Sequence, residues 1–166
     1  MDAVATVYDD CHGDLYGYAV TLTRDLSVAE DVVHEGFARL VRETSAGRSP
    51  DNPRAWLYAV CTNLAFSRTR RRVIVARLQH LVGAVSETDT VEAAEDVVLR
   101  RERHSELATA LGTLPGDARA ALLLAADGFS GREIAKILRK SEGATRNLMW
   151  RARLAVKDRI EPGDAA

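Results

Sequence analysis

The sequence predicts an all-α protein built from two small helical domains, joined by a short linker, with a helix-turn-helix in the second domain. Hydrophobic residues make up 46% of the 166 residues, which is ample for a core, and only 5% are aromatic. Ala, Leu, Val and Arg dominate, and these residues favour helix over sheet. Apolar residues recur at helical spacing in both halves, and no useful stretch alternates as a strand does.

The first half of the chain predicts a helical domain over residues 1–82. A helix covers residues 4–22, and residues 25–27 form a turn. Ser27 followed by Glu30 is the pattern of a capping box, which satisfies free backbone N–H groups at a helix start. We therefore expect the second helix to open there.

A polar loop rich in helix breakers, residues 44–53, separates the second helix from the third. Pro53 starts the third helix, because proline suits the first helical turn. The helix runs into a cluster of arginines at residues 68–72, and residues 73–82 extend it.

The second domain is predicted over residues 91–160, after a linker at residues 83–90 and before a tail at residues 161–166. Asp89 with Glu92 is a further capping pattern, and it opens a helix that runs to about residue 111. The next helix follows Pro115 and covers residues 116–126, with a turn at residues 127–128.

Residues 130–153 read as two short helices joined by a tight turn. Ser130 with Glu133 forms a capping box for the first of them, and Ser141 caps the second. The second helix carries Arg146 and Asn147, together with further arginines. Such side chains suit base edges and phosphates, so the segment predicts a helix-turn-helix that reads duplex DNA.

The formal net charge of −1 hides two basic clusters. Residues 136–159 contain eight Lys or Arg and only two acidic residues, and a second cluster lies at residues 68–72. Acidic residues concentrate at 9–14, 30–35 and 87–96. Two separate basic clusters fit two nucleic-acid contacts, although either cluster taken alone is equally consistent with a solvated helix face.

The sequence offers no metal, cofactor or catalytic site. Cys11 and Cys61 lie far apart, and the four histidines are dispersed without the spacing of zinc ligands. No acid, base and nucleophile converge, so we expect no enzyme activity. The N-terminus lacks a signal-peptide pattern, and the longest apolar run, residues 120–126, is too short to insert in a membrane. A cytoplasmic protein is expected.

Short segments in both halves share the order and spacing of one known family pattern. In the first half they are residues 29–37 (AEDVVHEGF), Trp56-Leu57, Asn63 and Arg70-Arg71. In the second half they are Leu114-Pro115, Arg119, Glu133-Ile134-Ala135, Gly143 and Arg151-Ala152-Arg153. With these segments the chain resembles a bacterial RNA polymerase sigma factor of the extracytoplasmic-function group of the sigma-70 family, between Tyr8 and Arg159.

The resemblance implies that the first domain binds core RNA polymerase. Residues 29–41 would contact the clamp helices of the β′ subunit, and the second domain would meet the β flap. It also implies control by an anti-sigma factor, and a linker that threads past polymerase. The residues implied at the β′ contact are Asp31, Val32, Glu35 and Phe37.

The resemblance also implies two contacts with promoter DNA. The first domain would hold the melted −10 element as a single strand, through Trp56, Asn63, Ser67, Arg68, Arg70, Arg71 and Arg72. The second domain would read the −35 duplex, through Lys140, Ser141, Arg146, Asn147, Trp150, Arg151 and Arg153. Among these, Arg146 and Asn147 suit base edges, and Lys140, Arg151 and Arg153 suit phosphates.

Some positions depart from the family pattern or have a second interpretation. Trp56 and Phe37 are more typical of core packing than of direct contact with DNA or polymerase. Trp150 either packs on the first domain or on a regulator, or is simply half-buried. The departures from the usual residues are His34, Ser67, Arg139, Ala144-Thr145 and Leu148.

A second class of protein, a helix-turn-helix regulator with an N-terminal sensor or dimerisation domain, accounts for the second half of the chain. It requires neither the 29–37 block nor the arginine cluster at 68–72. The sigma-factor hypothesis uses both features, and it is the one that the sequence favours.

Overall fold

The computed structural model describes residues 2–82 and 98–161, and all the regular structure in these ranges is helical. The all-α prediction is therefore confirmed. The predicted linker at 83–90, the capping pair Asp89 and Glu92, and residues 162–166 lie outside the described residues. The helices are α1 Asp2–Thr23, α2 Leu26–Ser45, α3 Pro53–Val82, α4 Val98–Thr113, α5 Gly116–Ala126, α6 Gly131–Leu138 and α7 Glu142–Ile160.

The start of α2 differs from the prediction. Arg24 ends α1 in the left-handed conformation, with φ +56°. The chain reverses there, and Asp25 takes an extended conformation and caps α2 by accepting a hydrogen bond from Val28 N at 2.9 Å. The predicted turn at 25–27 and the capping box of Ser27 with Glu30 are therefore wrong, because a carboxylate two residues earlier already satisfies the helix start.

The first three helices pack around one buried core. Leu15 of α1, Val33 of α2 and Leu57 of α3 are buried at its centre. Tyr18 and Thr62 join α1 to α3 through a hydrogen bond of 2.6 Å between their hydroxyl oxygens. This bond gives the buried Tyr18 hydroxyl a partner, and Thr62 Oγ1 also donates to Tyr58 O at 2.6 Å.

The core of the first half continues into the second half. Ala121, Leu124 and Ile134 belong to the same buried cluster as Leu15 and Leu57. The contact is made by α5 against α1 and by α6 against α3. The two halves of the chain therefore share apolar burial, which stabilises their association by about 25 cal/mol for each Å² removed from water.

Arg119 ties the two halves together at the ends of their helices. Its guanidinium donates four hydrogen bonds to backbone carbonyls, and burial lowers its pKa. Three of these carbonyls belong to the last turns of α1 and α4, where helical carbonyls run out of intrahelical donors, and the fourth, Leu114 O, follows the end of α4. The bonds run to Leu22 O at 2.9 Å, Leu111 O at 2.8 Å, Gly112 O at 3.0 Å and Leu114 O at 3.1 Å.

A second polar tie joins the start of α3 to the turn before α6. The Arg54 guanidinium lies over the Phe129 ring, with its Cζ 4.4 Å from the ring centroid, and over Tyr58 at 5.3 Å. Arg54 Nη2 also donates to Asp127 O at 2.7 Å. A cation over the face of an aromatic ring is attracted by that ring, so the tie adds to the apolar contact.

The helix-turn-helix is built from α6 and α7 as predicted. Ser130 Oγ accepts from Glu133 N, and Glu133 Oε2 accepts from Ser130 N at 2.8 Å, which confirms the capping box. Arg139 then ends α6 with φ +54°. Ser141 Oγ accepts from Ala144 N at 3.1 Å and caps α7, as predicted.

Arg139→Gly is expected to raise the free energy of unfolding by about 0.5–1 kcal/mol. A left-handed conformation costs an L-residue about 1 kcal/mol or more, whereas glycine adopts it freely. Part of that gain is offset by the larger entropy of glycine in the unfolded chain. Urea unfolding followed by circular dichroism measures the difference. Arg139→Ala is the matched control, since it removes the charge and keeps the strain, and equal stabilities of the two variants would contradict the prediction.

Candidate nucleic-acid interface

One face of α3 brings together most of the residues predicted for the −10 contact. Trp56, Asn63, Ser67 and Arg70 are separated by seven, four and three residues, which aligns them along the helix, and Arg71 lies beside them. Arg70 and Arg71 are exposed to solvent. The face therefore carries an aromatic ring, polar groups and cations in one row.

Arg68 and Arg72 do not lie on this face. Arg68 Nη1 contacts Asp31 Oδ2 at 2.6 Å, and Arg72 Nη1 contacts Asp25 Oδ2 at 2.8 Å. The hydrogen bond from Val28 N is the main cause that lowers the pKa of Asp25, and Arg72 adds to it. These two arginines hold α3 against α2, so the predicted cluster divides into Arg70 and Arg71, which are exposed, and Arg68 and Arg72, which are ion-paired.

A groove between α2 and α3 opens beside Trp56. It has a volume of about 420 Å³, and Arg39 and Arg42 line it together with Glu35. Glu35 Oε1 contacts Arg39 Nε at 2.7 Å and Arg42 Nη2 at 3.1 Å, and the bond from Arg39 is the main cause that lowers its pKa. Trp56 packs partly on the core and also lines the groove.

Sequence reasoning missed Arg39 and Arg42. The available signal was their spacing, since Glu35, Arg39 and Arg42 lie four and three residues apart and therefore share one face of α2. This signal does not show that the face borders the Trp56 side of α3. The groove places two guanidiniums beside the row of residues on α3, but Glu35 and Glu43 line it as well and balance their charge.

The four residues predicted for polymerase binding lie in two environments. Asp31 is exposed, and Glu35 is half-buried at the groove. Val32 is 0% exposed and Phe37 is 8% exposed, and both belong to the core of the first half. Only Asp31 and Glu35 present side chains at the surface, because the buried stripe of α2 runs through the other two positions.

The exposed side of α7 carries the residues predicted to read the −35 duplex. Thr145, Met149 and Ala152 form its buried stripe against the rest of the second half. Trp150 is 62% exposed, so it lies outside the buried core of the described residues. The other predicted side chains exposed along α7 are Arg146, Asn147, Arg151 and Arg153.

Lys140 and Ser141 have structural partners at the start of α7. Lys140 Nζ contacts Asp117 Oδ2 of α5 at 3.0 Å. Ser141 is the helix cap described above, so its side chain holds the geometry of the turn. Arg132, which sequence reasoning did not select, lies beside them and contacts Glu142 Oε1 at 3.3 Å.

Other kinds of site find little support in the described part of the chain. Residues 2–82 and 98–161 contain no cluster of three or more His, Cys, Asp or Glu side chains suited to a metal ion. Across the same ranges, no helix has the length and apolar character needed to span a bilayer.

Both halves of the chain match known protein families. Residues 7–73 match sigma-70 region 2, and residues 104–156 match sigma-70 region 4. The chain therefore belongs to the sigma-70 family of RNA polymerase sigma factors. Relatives in the extracytoplasmic-function group agree with the resemblance. The alternative, a helix-turn-helix regulator with an N-terminal sensor or dimerisation domain, is not favoured.

Several curated relatives and one solved structure are similar over most of the chain. The chain is 30% identical to the sigma factor SigL of Mycobacterium tuberculosis, over 91% of this chain and 85% of SigL. It is 26% identical to SigX of Bacillus subtilis, over 93% of this chain and 82% of SigX. SigL and SigX are described as ECF RNA polymerase sigma factors.

Two further comparisons differ in coverage. The chain is 26% identical to the probable sigma factor RfaY of Xanthomonas campestris over 96% of its own length, but spans only 41% of RfaY. The sigma factor RpoE of Bartonella quintana, solved in complex with the anti-sigma factor NepR, shares the fold with a TM-score of 0.77. It is 23% identical, and the match covers 97% of this chain and 98% of RpoE.

Proposed function

We propose that this sigma factor directs core RNA polymerase to promoters with a −35 and a −10 element, and that it has no enzyme activity of its own. One observation carries the proposal. Two exposed basic faces, on α3 and on α7, lie in different halves of the chain, and each half matches a different sigma region. A cytoplasmic location follows from this function.

In the second half, α7 is the helix that enters the major groove of the −35 duplex. Arg146 and Asn147 make bidentate contacts with base edges, for which guanidinium and amide groups have suitable geometry. Arg151 and Arg153 bond phosphates and fix the position of the helix on the duplex. Trp150 is exposed on the same helix, where a flat apolar ring is suited to contact with a thymine methyl group.

In the first half, the row from Trp56 to Arg71 holds the −10 element as a single strand. Arg70 and Arg71 neutralise the backbone, and Asn63 and Ser67 supply polar groups for exposed base edges. Trp56 offers a ring against which a base can stack at the edge of the groove. Asn63 Nδ2 donates to Ala59 O at 2.8 Å, which leaves its amide oxygen to accept from a base.

Asp31 and Glu35 are the proposed contacts with the β′ clamp helices; they are two of the three carboxylates that the 29–37 block presents at the surface, and Glu30 is the third. The β flap is the proposed partner of the second half. RpoE of Bartonella quintana binds the anti-sigma factor NepR, and this similarity supports regulation of the present chain by an anti-sigma factor.

The two halves act as domains, at residues 1–82 and 91–160, that separate on the promoter. In the structure α7 packs on α6 and α6 packs on α3. Neighbouring helix axes lie about 8–10 Å apart, so α3 and α7 are about 20 Å from each other. The −35 and −10 elements are about 25 base pairs apart, which is roughly 85 Å of duplex at 3.4 Å per base pair. A linker at 83–90 adds at most about 28 Å of extended chain, so the dimensions of the two separated domains would have to cover the rest of this distance.

Run-off transcription on genomic DNA tests the proposed function. Core polymerase with the full chain is expected to produce transcripts whose upstream sequences share two elements, and permanganate is expected to modify thymines in the −10 region. Core polymerase alone is the control. The proposal fails if no promoter in the genome gives transcripts and reactive thymines that depend on the added chain.

Arg146→Ala is expected to weaken binding of the −35 duplex by about 1–3 kcal/mol and to relax the base preference at one position. The reason is that a bidentate contact to a base edge is lost. Binding to the selected duplex and to single-base variants of it measures the effect. Arg159→Ala is the matched control, since Arg159 is exposed at the far end of α7. An equal loss on all sequences would make Arg146 a phosphate contact instead.

A further inference from the structure

Asp127 places a carboxyl group at the seam between the two halves, where α5 and α6 pack on α1 and α3. It follows the last residue of α5, and its backbone O accepts a hydrogen bond from Arg54 Nη2 of α3 at 2.7 Å. The neighbours that act on its side chain, Arg54, Tyr58 and Asp14, all belong to the first half. The charge of this carboxyl group therefore bears on the contact between the halves.

The side chain of Asp127 lacks the partners that a buried charge requires. Its Oδ2 is buried and makes no hydrogen bond within residues 2–82 and 98–161, and the same holds for the Tyr58 hydroxyl. The nearby cation, Arg54, bonds the backbone oxygen of Asp127 instead. The carboxylate also stands at the C-terminal end of α5, where the helix dipole is negative and repels a negative charge. Because buried polar groups are almost always paired, a charged Asp127 is poorly accommodated in the closed arrangement, in which the halves are packed together.

The surroundings of Asp127 favour its neutral form. Burial is the main cause that raises the pKa of Asp127, and the Asp14 carboxylate adds to it, whereas the Tyr58 hydroxyl and the Arg54 guanidinium oppose it. When the halves separate, these neighbours are lost and water solvates the carboxyl group. A group with a higher pKa in one state binds its proton more tightly there, so protonation stabilises the closed arrangement and loss of the proton weakens it.

The other titratable groups around the seam do not reverse this direction. Burial raises the pKa of Tyr18 on α1 and of Tyr58 on α3, so both hydroxyls stay neutral. Glu133 on α6 lies near enough to Arg54 for their charges to interact. Arg54 thus interacts with a second carboxylate and a backbone oxygen, and it does not fully compensate the charge of Asp127.

We propose that Asp127 is a switch for the separation of the two halves: its charged carboxylate promotes separation, and a neutral side chain at this position holds the halves together. A neutral carboxyl group can donate a hydrogen bond to the nearby Tyr58 hydroxyl across the seam, whereas a carboxylate can only accept. The charge therefore opposes the apolar core that the halves share. Any effect on promoter binding rests on the proposed function, in which the halves separate on the promoter.

Pulsed electron paramagnetic resonance on the full chain measures the ratio of closed to separated molecules, without polymerase or DNA. Spin labels are attached through Ala38→Cys on α2 and Ala155→Cys on α7, since both positions are exposed. The native thiols, Cys11 and Cys61, are buried and are poorly accessible to the label. Phe66→Ala serves as a common background. Phe66 packs against the start of α5, at the opposite end from Asp127, so its loss weakens the seam and brings the separated form into the measurable range.

Asp127→Asn is expected to raise the ratio of closed to separated molecules about tenfold at neutral pH. The amide is neutral and can donate to the Tyr58 hydroxyl, and the change is toward the lower end of the range for a buried unpaired group because Asp127 is half-buried. Asp127→Ala should also raise the ratio, since it removes the charge. Asp117→Asn is the matched control: it removes the same charge from the other end of α5, where Lys140 Nζ contacts the carboxylate at 3.0 Å, and should leave the ratio unchanged.

The pH dependence gives a second measurement that requires no substitution at the seam carboxylate. Lowering the pH from neutral should raise the ratio of closed to separated molecules in the chain that keeps Asp127, and should raise it less in Asp127→Asn. Circular dichroism checks that each variant keeps its helix content. If a variant at position 127 loses helix content, the pH dependence decides, and a ratio that does not rise as the pH falls overturns the proposal.

Two other results would also overturn the proposal. An unchanged ratio in Asp127→Asn would show that the charge does not act on the seam. A lower ratio in both Asp127→Asn and Asp127→Ala would make the carboxylate a group that stabilises the closed arrangement. The proposed function is tested separately by run-off transcription. If Asp127→Asn favours the closed arrangement and transcription is unchanged, the switch stands and the separation of the halves on the promoter is refuted.

Discussion

Arg119→Met is expected to lower the free energy of unfolding by about 3–5 kcal/mol. The guanidinium of Arg119 donates to four carbonyls at the ends of α1 and α4, and methionine leaves all four without this partner. An unpaired buried acceptor costs about 1–3 kcal/mol, and the partial exposure of this site allows water to replace some of the bonds. Urea unfolding monitored by circular dichroism measures the change.

Two further variants test the reason for this effect. Arg119→Lys keeps the charge but places it on a single ammonium group, which cannot reach four carbonyls in a planar arrangement, so it should recover only part of the stability. Arg24→Met is the matched control, because Arg24 Nη1 reaches only Gly112 O, at 3.4 Å and in an exposed position. A loss below about 1 kcal/mol in Arg119→Met would show that water satisfies these carbonyls equally well.

Arg70→Gln with Arg71→Gln is expected to cause the largest loss of single-strand binding. Each removes a cation from the exposed face of α3, and each phosphate contact to a single strand contributes about 0.7 to the slope of log K against log[salt]. The double variant should therefore lower that slope by about 1.4. Titration of a single-stranded −10 oligonucleotide at several salt concentrations measures it.

Arg68→Gln with Arg72→Gln is the matched control for this experiment. It removes the same charge from the same helix, but these side chains are bonded to Asp31 and Asp25. The salt slope should stay unchanged, and stability should fall by no more than about 1 kcal/mol per exposed ion pair. If the two double variants weakened DNA binding equally, the ion pairs of Arg68 and Arg72 would have to open when DNA binds. That result would contradict the distinction between these two arginines and the exposed pair, Arg70 and Arg71.

Local signals in the sequence predicted most of the fold. The capping box of Ser130 with Glu133 and the proline before α5 mark helix starts through neighbouring residues alone, and the bounds of α5 agree with the prediction. The start of α2 was missed because two candidate caps, Asp25 and Ser27, lie close together. The choice between them depends on how α1 ends, at the left-handed Arg24, and no residue pattern states that conformation.

The arrangement of the candidate site was less accessible from the sequence. Arg68 and Arg70 look equivalent in a run of arginines, yet one faces a carboxylate of α2 and the other faces solvent. Val32 and Phe37 lie in the block that the family pattern marks for polymerase binding, but they are buried. Which face of a helix is covered depends on neighbours that are distant in the sequence, and the same reason hides the groove beside Trp56.

The apolar core shared by the two halves has a consequence for affinity. Separating α5 and α6 from α1 and α3 would expose side chains such as Leu124 and Ile134 to water, so the separated form is a minor population. Each 1.4 kcal/mol of separation cost reduces that population tenfold, and the apparent affinity for any partner that requires separated halves falls by the same factor. A partner that holds the halves together has no such cost, so the core favours partners of that kind over partners that require separated halves.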